Sequence, residues 1–190
     1  MRKLFLSFVF LLLFSCEERE FYNSVYLTVN NPIIKVEASL IDYRVGDVLF
    51  MNTDSFSSVL NEPNQATPID VFRTSGSNFM RYFFTLEKNV SGQWIRVALS
   101  TSDIVVDRGI VNVTESINVG ARYNGNNKKY ESRVGVRLNA VGQYRLLLGE
   151  SLENPSLVQF SSDQVNGFTT VVVASPLEFG NGFSYNFTVL

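Results

Sequence analysis

The sequence predicts an all-β chain, an antiparallel β-sandwich enlarged to about ten strands, over residues 24–190. Three observations lead there. From Ser24 onward apolar residues recur at every second position in short runs, the period of a strand with one buried face, and no stretch repeats at the helical 3.6. The runs are bounded by Gly, Asn, Asp and Pro, the residues that turn a chain. With 45% hydrophobic and 18% charged residues in 190, the chain is apolar enough to build a core and too polar to cross a membrane many times. A unit of this size buries about 70% of its unfolded surface, so it needs no disulfide, and a single cysteine offers none.

The strands are expected in order. Val25, Leu27 and Val29 alternate with polar neighbours, Asn30-Asn31-Pro32 reads as a turn, and Ile34, Val36, Ala38 and Leu40 form the next apolar face. Tyr43-Arg44-Val45-Gly46-Asp47 reads as a turn feeding the apolar Val48-Leu49-Phe50. Asn61 to Pro68 reads as a loop inside one domain, with no linker composition to divide the chain, although two small packed units remain an alternative.

The strongest expectation is a hairpin. Met80, Tyr82, Phe84 and Leu86 share one face of a strand, Ile95, Val97 and Leu99 one face of the next, and Glu87 to Gln93 forms a polar connector. Full burial of each of those side chains is worth ~1.5–3 kcal/mol. The opposite face carries Phe79 and Phe83 around Arg81, and Trp94 beside Arg96. Such a face is either covered by a second layer or an aromatic binding surface.

Ile110 to Val113, Ile117 to Tyr123, Tyr130 to Leu138 and Gln143 to Leu148 continue the strand spacing, with Asn124-Gly125-Asn126-Asn127 as a loop. Thr169 to Ala174 is a β-branched run. Phe183, Tyr185, Phe187 and Val189 then form a last strand so regular that it must be paired, because an exposed edge of that composition aggregates. Two short stretches resemble immunoglobulin-like sandwiches: the turn at Tyr43 to Asp47, and Asn139-Ala140-Val141-Gly142-Gln143-Tyr144. In the corner that the second resembles, the tyrosine hydroxyl ties back to nearby backbone, which implies a structural Tyr144.

The first residues carry an address. Arg2 and Lys3 precede an apolar run from Leu4 to Phe14 broken only by Ser7, the charge-then-hydrophobe order of a secretory signal, and too short for the ~20 residues of a spanning helix. The run ends in Leu13-Phe14-Ser15-Cys16, with Cys16 the only cysteine. This resembles a bacterial lipobox, which implies a signal peptide over 1–15, acylation of Cys16 and anchoring without spanning. The bland alternative is a lone cysteine after an ordinary signal, which an oxidising compartment disfavours. Glu17, Glu18 and Glu20 make 16–23 an acidic tether resembling the export signal of surface-exposed lipoproteins in Bacteroidota; a simply solvated tether is the alternative. Cleavage before Cys16 would leave 14 basic against 18 acidic side chains, a net charge of −4.

Composition narrows the chemistry. There is no basic excess to neutralise nucleic-acid phosphates. Zero histidines remove imidazole bases and His-containing metal sites, and no cofactor motif is present. Asp103 and Asp107 lack the spacing of a calcium loop, and Lys128-Lys129 sits beside a polar turn where solvent keeps both charged. Three Asn-X-Ser/Thr triplets are chance matches in a bacterial chain. Two functions fit: a non-catalytic outer-membrane lipoprotein that holds an envelope protein by its loops or a sheet edge, or a carbohydrate-binding lipoprotein using Phe79, Trp94 and Tyr123 as a platform.

Overall fold

The computed structural model describes residues 23–37, 42–54, 56–60, 67–149, 158–163, 168–175 and 184–190. Cys16, the acidic tether, Ala38, Leu40, most of the 61–68 loop and Phe183 lie outside them. The architecture is all-β. In chain order the strands are β1 (Asn23–Pro32), β2 (Lys35–Val36), β3 (Asp42–Tyr43), β4 (Val48–Asn52), β5 (Val59–Leu60), β6 (Ile69–Asp70), β7 (Phe79–Val90), β8 (Gln93–Arg96), β9 (Ile104–Arg108) and β10 (Ile110–Val113). There follow β11 (Ile117–Asn124), β12 (Lys129–Glu131), β13 (Arg133–Arg137), β14 (Gly142–Leu148), β15 (Val158–Ser162), β16 (Phe168–Ser175) and β17 (Ser184–Val189). A five-residue helix, α1 (Val71–Ser75), stands between β6 and β7, capped by the Asp70 carboxylate on the Arg73 amide and stopped by left-handed Gly76.

The large sheet runs β1-β16-β15-β7-β14-β17-β3, with β11 and β8 both on β7, and β10 and β12 both on β11. The second sheet runs β2-β4-β13-β9. One buried cluster draws on both: Met80, Tyr82, Phe84 and Leu86 from β7, Leu49 and Met51 from β4, Val134 and Val136 from β13. Packing of two inner faces is what the period-two pattern of these strands demands.

Several expectations need correction. The described residues hold seventeen strand segments rather than about ten, many only two to five residues long. Pairing is not wholly antiparallel, since β1 lies parallel to β16 and β3 parallel to β17. Asn30 to Pro32 is no turn; β1 runs through it, its register shifting between Val29 and Pro32. The connector in the central hairpin shrinks to Ser91-Gly92, both at positive φ, because β7 continues to Val90 and the Asn89 carboxamide accepts the Gly92 amide at 2.9 Å. That pushes Ile95 beyond the core: it shares the inner side with Lys88, yet it is 50% exposed.

The run from Tyr130 to Leu138 is not one strand. It breaks at Ser132, so that β12 pairs with β11 in the large sheet while β13 pairs with β4 and β9 in the other. The run 104–113 does the same at Gly109, with β9 in the second sheet and β10 in the first. A buried hydroxyl knot fixes the crossing point. Ser132 N–H donates to Thr53 Oγ1 at 2.8 Å, Thr53 Oγ1 donates to the Tyr130 carbonyl at 3.0 Å, and Tyr82 Oη lies 3.2 Å from Ser132 Oγ. Burial without partners would cost each of these groups ~1–3 kcal/mol, so the knot specifies where the chain changes sheets.

Other expectations hold. Tyr144 Oη donates to the Ala140 carbonyl at 2.9 Å, forming the corner its sequence setting implies. Gly46 takes φ +95° in the turn before β4, where the Arg44 amide donates to Asp47 Oδ2 at 2.8 Å. The last strand, β17, is paired on both sides.

Candidate functional site

Two consecutive strands form a free edge. Among the described residues β9 pairs only with β13 and β10 only with β11, so Ile104 to Val113 borders both sheets in turn. The segment is Ile-Val-Val-Asp-Arg-Gly-Ile-Val-Asn-Val, rich in β-branched residues and lacking proline and lysine. Val106 is 47% and Ile110 41% exposed. An edge of this length and composition offers a row of backbone donors and acceptors to an incoming strand.

At the bend of this edge lies a polar cleft of about 570 Å³, lined by Asp107, Arg108, Gly109, Ile110, Arg122, Tyr123, Asn124, Gly125, Asn126 and Glu131. The hairpin register builds it. Because the turn returns Lys129 opposite Asn124, Arg122 falls directly opposite Glu131. The loop is braced by its own side chains: Asn124 Nδ2 donates to Glu131 Oε2 at 3.0 Å and Asn127 Nδ2 to Glu131 Oε1 at 2.6 Å. Their carbonyl oxygens accept the amides of Asn126 and Lys129 at 3.1 and 3.2 Å. The hydrogen bond from Asn124 comes first among the causes that hold the Glu131 carboxyl below its ordinary range, ahead of the opposing effect of burial. Arg108 pairs with Asp54 at 3.1 Å and Asp107 with Arg133 at 3.4 Å.

The aromatic candidates do not form one platform. Phe79 and Trp94 share the outer face of the large sheet, but Trp94 pairs with Asn89, ten residues along β7 from Phe79, or about 33 Å at strand rise. Tyr123 belongs to the inner face, stacked on Phe72 with centroids 3.9 Å apart and planes at 9°. Trp94 is half-buried, with the Arg145 guanidinium 4.7 Å from its ring centroid and Arg145 itself bound to Glu87 at 2.6 Å. It flanks a shallow cleft of about 290 Å³ with Gln143, Asn186 and Thr188. Phe83 lies across the backbone of Gly149, where a Cβ would stand 2.5 Å from its ring, so this exposed ring serves the sheet.

Of the sequence candidates, only Tyr123 lines the polar cleft. Arg122, Asn126 and Glu131 were not singled out. The signal for them lies in the hairpin: an Asn-Gly-Asn-Asn loop at its tip and opposite charges two residues before it and four after. Among the described residues no group of three or more Cys, Asp or Glu side chains is placed to hold a metal ion, and no helix is long and apolar enough to cross a membrane. Compared with protein-family models, with curated proteins and with solved structures, the chain matches none.

Proposed function

We propose that this chain is a lipid-anchored protein of a bacterial cell envelope, tethered to the outer membrane through Cys16, that holds a protein partner and catalyses no reaction. The free edge from Ile104 to Val113 carries the reading. Strand addition draws affinity from main-chain hydrogen bonds and specificity from alternate side chains, and this edge supplies both without any tuned acid or base. The test has two arms. A fatty-acid analogue should label the wild type and not Cys16→Ala; equal labelling overturns the anchor. Affinity capture from solubilised envelope should retain one partner on the wild type and lose it on a Val106→Lys, Ile110→Lys double variant; identical capture overturns the edge.

One observation favours a second reading, in which the partner is a glycan. The polar cleft balances acids against arginines and presents donors and acceptors side by side, the mixture that hydroxyl-rich ligands need.

A further inference from the structure

We infer that the polar cleft at the bend of the free edge is a saccharide site selective for neutral sugars with adjacent hydroxyls, an inference that rests on the glycan reading. Its charges exclude the simpler ligands. Asp107 and Glu131 flank the space that an anion would enter, and Arg108 and Arg122 flank the space that a cation would enter. Arg108 and Asp107 are answered by Asp54 and Arg133, and Arg122 faces Glu131 across the ladder, so the lining, two carboxylates against two guanidiniums, carries no net charge.

What remains is a neutral ligand whose groups both donate and accept. Among the described residues the Arg122 guanidinium and the Asn126 carboxamide have no partner, and both are exposed at the cleft. A guanidinium fork donates to two neighbouring hydroxyl oxygens, and the Glu131 carboxylate, whose two oxygens each accept one bond from Asn124 or Asn127, keeps a second lone pair on each for a hydroxyl, so Arg122 and Glu131 together read a vicinal diol. Ile110 supplies an apolar wall for the C–H face of the ring. The loop is already held by the bonds of Asn124 and Asn127, so little ordering is left for binding to impose. The volume suits a short stretch of sugar units, within the ~300–1,000 Å³ usual for ligand clefts.

The test is calorimetric titration of the full chain in detergent with malto-, cello-, manno- and xylo-oligosaccharides, with oligogalacturonate as the charged control. The wild type, an Arg122→Ala, Asn126→Ala double variant and Trp94→Ala are compared. The substituted cleft residues are solvent-exposed, so the fold survives their removal. One neutral series should bind, about tenfold or more weaker in the double variant and unchanged in Trp94→Ala. Loss in Trp94→Ala with none in the double variant would put the sugar at Trp94, at the far end of β7 from the cleft, overturning this site and leaving the glycan reading. Preference for oligogalacturonate would overturn the neutral selectivity. Binding of none of them would remove both the site and the glycan reading.

Discussion

Gly109 and Ser132 meet where two strands change sheets: a Cβ on Gly109 would stand 3.1 Å from the Cβ of Ser132 and 2.8 Å from the Gly120 carbonyl oxygen. Gly109 also takes φ +92°, which L side chains resist. Gly109→Ala therefore combines backbone strain with a collision against backbone and should cost about 3 kcal/mol in urea unfolding. Gly46→Ala is the control, with φ +95° but nothing within 4 Å of the added methyl, and should cost about 1 kcal/mol. Equal losses would mean that the two bends do not pack against each other.

Alkali should unfold the protein before ordinary tyrosines would suggest. Burial pushes the Tyr82 and Tyr130 hydroxyls from 10.0 up to about 12, and Tyr185 is raised as well. A raised tyrosine stabilises the fold fully below its unfolded pKa, and that contribution is lost as pH climbs through the folded one. Between pH 10 and 12 each of Tyr82 and Tyr130 should remove about 1.4 kcal/mol per pH unit. Tyrosinate absorbance rising together with loss of β circular dichroism checks this; early ionisation of the whole set in a still-folded chain would contradict it.

On the acid side, the hydrogen bonds of Arg133 hold the Glu37 carboxyl below its ordinary 4.5, with Nε and Nη2 reaching it at 2.9 and 2.8 Å while the guanidinium lies 3.9 Å over the Phe50 ring. The stability this lends is complete above 4.5 and lost as pH falls through the depressed value. Arg133→Lys gives up the bidentate geometry and the stacking, so carboxyl titration by NMR should show the Glu37 pKa rising toward 4.5. No movement would separate the two groups.

Tyr144→Phe removes one partly buried hydrogen bond, to the Ala140 carbonyl, and should cost about 1 kcal/mol with no change in spectrum. A neutral substitution would mean that water serves the corner as well as the phenol does.

Local pattern made much of this legible. The faces of β7, the turn at Gly46 and the Tyr144 corner each depend on residues within a few positions, so period and turn chemistry reveal them. Long-range choices were hidden. Ser132 interrupts the apolar face of Tyr130, Val134, Val136 and Leu138, but a lone serine does not record that the strand before it pairs with Asn124 while the strand after it pairs with Asn52. The parallel pairing of β1 with β16 joins residues 145 positions apart, Asn23 to Phe168, and leaves no local trace. β9 left too little pattern to read, because its apolar run is only Ile104 to Val106 before Asp107 and Arg108. The polar cleft depends on the register of one hairpin, and opposite charges nine residues apart mean nothing until that register is known.

The most direct test of the account is in-cell cross-linking from the free edge. A photoreactive residue at Val106 or Ile110, both exposed, should yield one discrete adduct in intact cells, and the same probe at exposed Val141, on the Tyr144 corner and outside the Ile104–Val113 segment, should yield none. Adducts from Val141 and none from Val106 or Ile110 would contradict the claim that this edge is where the protein holds its partner.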